Sequence, residues 1–165
     1  MARLGLAAAT ALALAAGAPA FAQDAGDEAN ASSISGSWKL ETGMFDGSCY
    51  IEGQMTLVPS ALPGGYVCTF VTTQICTDPD NRLSMKVQQS CTAQRVGDGV
   101  AITSRVNKVL ERNPPYPEWV VPENQYYADN FLVRVTKKGA EMVGTHYDKI
   151  RKVSVRFWRD VALVS

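Results

Sequence analysis

The chain has 165 residues, with 16 Lys or Arg against 16 Asp or Glu, 46% apolar residues, four Cys and one His. That length supplies one hydrophobic core, and the apolar fraction is too high for a disordered protein. Balanced charge excludes the basic surplus of a nucleic-acid binder.

Residues 1–22 read as a secretory signal. Arg3 gives the positive start, Leu4 to Ala16 form an uncharged run of thirteen residues, and Ala20-Phe21-Ala22 has the small-x-small pattern of a signal peptidase site. The run falls short of the roughly 20 residues that span a bilayer. No other stretch approaches that length, so no membrane span is expected. The expected mature chain starts at Gln23 and is periplasmic or secreted. Residues 23–33 hold small and polar side chains with three acids. Residues 23–34 are assigned as a flexible linker before a single domain, 35–165. Asn30-Ala31-Ser32 matches the glycosylation acceptor pattern.

From Gly36 onward the apolar residues alternate with polar ones, and Val, Thr, Ile, Tyr and Phe are abundant. This period of two predicts strands at 35–42, 49–59, 65–76, 83–95, 99–112, 129–138, 140–148 and 151–160. Leu83, Met85, Val87, Cys91 and Ala93 share one face. Further faces are Val100, Ile102, Val106 and Leu110; Phe131, Val133 and Val135; and Val153, Val155 and Phe157. Turn signals at Leu62-Pro63-Gly64-Gly65, Asp78-Pro79-Asp80-Asn81, Gly97-Asp98-Gly99 and Lys137-Lys138-Gly139 separate the strands. Short sequential hairpins predict an all-β fold, an eight-stranded antiparallel up-and-down barrel, with a β-sandwich as the alternative. Such a barrel is either filled by its own side chains or holds one small ligand.

One connection breaks this rhythm. Residues 112–129 contain Pro114, Pro115, Pro117 and Pro122, interleaved with Tyr116, Trp119, Tyr126 and Tyr127. Proline cannot donate to a ladder, so a long loop is expected here. Its four aromatics are candidate ligand-binding residues at the barrel mouth, or a plug that closes one end.

The cysteines are spaced 19, 8 and 15 residues apart and include no Cys-x-x-Cys. Together with a single His, that gives no zinc pattern, and two disulfides are expected. A turn centred between Leu62 and Pro63 sets Cys49 opposite Cys76. One centred between Pro79 and Asp80 sets Cys68 opposite Cys91. Cys68 and Cys76 would lie about 26 Å apart in one continuous strand. A bulge or kink would instead permit Cys49–Cys68 with Cys76–Cys91.

No nucleophile elbow, zincin helix, dinucleotide fingerprint or phosphate loop occurs in the sequence. His146 and Asp148 share a face at a strand end, a pairing that reads as a solvated strand terminus. The expectation is a protein without catalytic residues, cofactor or metal.

Gly36-Ser37-Trp38, opening the first strand, resembles the Gly-x-Trp motif of lipocalins and related calycin barrels. The resemblance implies that Trp38 closes one barrel end beneath an Arg of the last strand, either Arg156 or Arg159. Gly36-Ser37-Trp38-Lys39-Leu40 followed by Cys49 is also similar to the opening of the small exported inhibitors of serralysin-type metalloproteases. That likeness implies an N-terminal trunk, residues 23–33, inserted into a protease cleft. Two functions follow as expectations. The first is binding of a small apolar or amphipathic molecule, which requires a cavity of roughly 300 Å³ or more. The second is a protein-binding barrel such as a periplasmic protease inhibitor, whose interior can be solid.

Overall fold

The computed structural model describes residues 33–78, 81–115, 126–136 and 139–159. Eight strands follow in order: β1 (Gly36–Thr42), β2 (Cys49–Pro59), β3 (Gly65–Asp78), β4 (Asn81–Val96), β5 (Gly99–Asn113), β6 (Asn130–Thr136), β7 (Glu141–Tyr147) and β8 (Lys152–Trp158). Each pairs antiparallel with the next, and β8 returns to β1. The result is the up-and-down barrel, not the sandwich. The signal segment, the first part of the linker and the Tyr116 and Trp119 positions lie outside the described residues.

Alternation explains the closure. Inward positions stand in register around the wall: Leu40 faces Gly53 and Phe157, and Phe131 faces Ile102 and His146. The interior is filled by side chains from every wall. Phe131 of β6 meets Phe70 of β3 edge-on at 5.9 Å between centroids and Phe157 of β8 at 5.1 Å. Trp38, Leu40, Ile51, Met55, Leu57, Ile102 and Met142 are buried around them. Burying a side chain of this size contributes about 1.5–3 kcal/mol, so the packed axis is the main source of stability.

The wall is uneven. β3, β4 and β5 run 14 to 16 residues, whereas β6, β7 and β8 have seven each. Two short seams therefore close the barrel, with four residue pairs between β5 and β6 and four between β1 and β8. At Gly144 a Cβ would stand 2.1 Å from the Leu132 carbonyl oxygen. Only glycine lets β7 bend this tightly against β6.

Three expectations are corrected. Leu110 does not share the inward face of Val100 and Ile102, because two register shifts between β4 and β5 rotate it outward, where it is 42% exposed. Leu83 is likewise 38% exposed, because the far end of β4 runs past the short strands. Ile34 belongs to the packed domain, not to a flexible linker, for it is fully buried against the core.

Cys49 faces Cys76 across β2 and β3, Cys68 faces Cys91 across β3 and β4, and both pairs are bonded. The turn centres put each pair in register, and no bulge interrupts either. Peptide mapping of oxidised protein is expected to recover these two links and no free thiol. Reduction is expected to lower stability by about 2–4 kcal/mol per bond. Recovery of a Cys49–Cys68 peptide would contradict the register.

Candidate functional site

The long loop re-enters the barrel wall through a buried polar cluster. Asp129, the residue before β6, is 1% exposed, among the few polar side chains buried in a mainly apolar interior. Its Oδ2 accepts hydrogen bonds from the Tyr126 hydroxyl at 2.9 Å, from Thr72 Oγ1 of β3 at 3.1 Å, and from Gln89 Nε2 of β4. Its Oδ1 lies 2.9 Å from His146 Nε2 of β7. A carboxylate only accepts, which puts the proton on that nitrogen. The main chain of Asp129 is held as well. Its N–H donates to Gln89 Oε1 at 3.0 Å, and its carbonyl accepts from Ser104 Oγ of β5. Asn130 completes the tie by accepting from the Ser104 N–H at 3.0 Å.

This geometry is what a buried charge demands. An isolated carboxylate in an apolar interior is costly, and here four side-chain donors satisfy it. The cluster joins β3, β4, β5, β6 and β7 at the base of the loop. His146 is wholly buried and tilted against Phe131 at 5.5 Å between ring centroids, and its Nδ1 has no hydrogen-bond partner among the described residues. With both ring nitrogens sealed from solvent, the arrangement positions the loop end.

His146 is therefore not a solvated strand end, and Asp148 is not its partner. Asp148 accepts from the Ile150 and Arg151 N–H groups and from Arg151 Nε, all at 2.8 Å, and so builds the β7–β8 turn. Tyr126 is buried within the cluster, closer to a plug than to a displayed contact. Tyr127 is half-buried, with Lys149 Nζ 5.5 Å above its ring.

At the other seam Trp38 is 1% exposed, and the Arg159 guanidinium lies 4.2 Å over its ring. Trp38 Nε1 donates to the Ile34 carbonyl at 2.9 Å, and Arg159 Nη2 donates to the Ser33 carbonyl at 2.8 Å. Arg156 instead pairs with Glu141 and lies 5.6 Å from the Trp158 ring.

Concave surface is found on the outside of the wall. An open groove of about 630 Å³ crosses β1, β2 and β3, lined by Lys39, Leu40, Glu41, Glu52, Gly53, Gln54, Val71, Thr73, Lys86, Leu110 and Trp158. By strand parity most of these are outward-facing residues. Their chemistry is mixed, with apolar Val71, Leu110 and Trp158 beside two cations and two acids. A second hollow of about 370 Å³ lies over β1, β7 and β8, between Glu41 and Arg156. The sequence reading missed both, because alternation marks outward residues as solvent-facing and says nothing of how the wall curves.

No protein-family model and no curated protein matches the chain. Among solved structures, it is similar to a redesigned β-barrel, mFAP1, bound to DFHBI, with a TM-score of 0.46 and 12% identity, covering 76% of this chain and 94% of that one.

Burial, and then the neighbouring Asp129 charge, hold the Tyr126 phenol well above its usual 10.0. The unfolded chain releases that proton near pH 10, whereas the folded one releases it only at higher pH. The stabilisation is thus complete below about pH 10 and is lost as pH rises through the folded value. Tyr126→Phe is expected to cost about 1.5–3 kcal/mol at neutral pH, the scale of a hydrogen bond to a charged group. In urea unfolding the gap between wild type and variant should narrow above pH 10. A gap that stays constant to pH 11 would contradict the buried phenol–carboxylate contact.

Proposed function

We propose that this chain is an exported, non-catalytic binding barrel that takes an amphipathic small molecule in the groove on its outer wall. The observation that carries the reading is the contrast between the two sides of the sheet. Inside, Phe70, Phe131 and Phe157 meet at the axis. Outside, the β1–β3 groove has the volume of a small-molecule site. Trp158, Val71 and Leu110 offer apolar contact, while Lys39 and Lys86 with Glu41 and Glu52 suit a head group of both signs. Two disulfides fit an oxidising compartment, in keeping with the signal-like residues 1–22.

A protein partner is the second reading, favoured by the way Ser33 and Ile34 are fixed at the start of the domain. Ile34 is buried, and the Ser33 and Ile34 carbonyls are held by Arg159 and Trp38. A segment with a fixed base presents itself to a partner at lower entropic cost.

A titration with dodecylphosphocholine below its micelle concentration separates these readings. The expected result is movement of the Trp158 indole signal and of β1–β3 amides in NMR spectra, with affinity weakened about tenfold by Trp158→Ala, on the scale of losing one aromatic contact. Movement centred on the inward Phe131 and Phe157 would place the ligand inside the barrel and overturn the outer-groove reading. No movement up to the micelle concentration would favour the protein partner.

A further inference from the structure

The seam between β5 and β6 ends early. β6 pairs only with Gly99 to Ile102, yet β5 runs on to Asn113. Ser104 is tied to Asp129 and Asn130. Beyond it, among the described residues, 105–113 pair with β4 alone. One edge of a nine-residue strand thus offers main-chain donors and acceptors at alternate positions.

The charge around this edge is one-sided. The chain overall is balanced, 16 against 16, but the paired stretches 84–90 and 105–113 hold Lys86, Arg105, Lys108 and Arg112 against one acid, Glu111. Arg105 and Lys108 are exposed beside the edge. We propose that the β5 edge is a docking site for an extended acidic segment of a partner protein, added as a further strand along 105–113. Main-chain hydrogen bonds would supply the pairing, and the cations would select the sign of the partner. The two register shifts opposite Val87 and Gln89 break the edge into short runs, so pairing alone is weak and charge must assist. Lys86 and Leu110 also line the amphiphile groove, so the variant that tests this site is placed at Lys108, outside that groove.

The probe is the peptide acetyl-Glu-Val-Glu-Val-Glu-Val-Glu-amide at neutral pH, with NMR mapping of the oxidised protein. The alternate amides of 105–113 that point away from β4 are expected to exchange freely without peptide and to shift and become protected with it. Two versions, N-methylated at the valines or at the glutamates, keep the charge and each lose the donors along one strand edge, and one of them should bind at least tenfold more weakly. So should a lysine-for-glutamate version, and so should Lys108→Glu protein titrated with the original peptide. Protection of those same amides before any peptide is added would mean that the chain covers its own edge, and would overturn the proposal. Undiminished binding of both N-methylated peptides would show charge without strand addition, and would overturn it too. So would binding of none of the peptides at millimolar concentration, the outcome if cations and bulges serve only to keep edges apart. Concentration-dependent dimerisation through 105–113 without peptide would make a second copy the occupant.

Discussion

A single buried carboxylate governs how this barrel closes. Asp129 sits at the point where a long connection must rejoin a wall already five strands old, and β6 and β5 share only four residue pairs there. Four residue pairs make a weak seam, since each cross-strand pair contributes only about 0.2–1 kcal/mol. The Asp129 cluster reinforces it from inside, because satisfying that charge requires Thr72, Gln89, Tyr126 and His146 to converge from three strands and the loop. Losing any donor leaves part of a buried charge unpaired, so the network is strongly coupled.

Closure at both seams decides where binding can occur. Arg159, Trp38 and the Ser33 and Ile34 carbonyls tie the first and last strands together at the other short seam. With both seams held, the inward faces pack against each other and three phenylalanines fill the axis. What remains concave is outside, where uneven strand lengths and bending at glycines shape the wall. The long β3–β5 strands overrun their short neighbours, and that overrun produces both the exposed Leu83 and the unshared edge of β5. The interior supplies stability, and the proposed contacts fall to the exterior.

The fold was legible because period-two alternation and turn residues act locally. Every strand lies within two residues of its expected bounds, and two turn centres sufficed to pair four cysteines. The polar cluster was readable by the same means. Gln89 and Thr72 occupy inward positions of their strands, and a hairpin centred near Lys138 sets His146 opposite Phe131, beside Asp129. A polar residue interrupting an apolar face is the available signal, as at Gln89 between Val87 and Cys91. Leu110 was misread for a different reason: bulges shift the face of everything beyond them, and they depend on tertiary strain that the local sequence does not encode. The outer groove arises from curvature of the whole wall, which no window of residues expresses.

The most direct measurement of the central claim is native-state hydrogen exchange of Asp129→Asn beside the wild type. Asparagine keeps the size of the side chain, but turns two accepting oxygens into one acceptor and one donor facing other donors. If Asp129 secures the β5–β6 seam, amides of β6 and of Gly99 to Ile102 should exchange at least tenfold faster in the variant, while the disulfide-linked β2–β4 region changes far less. Uniform acceleration across all eight strands, or an unchanged β6, would contradict the claim that this carboxylate holds the barrel closed.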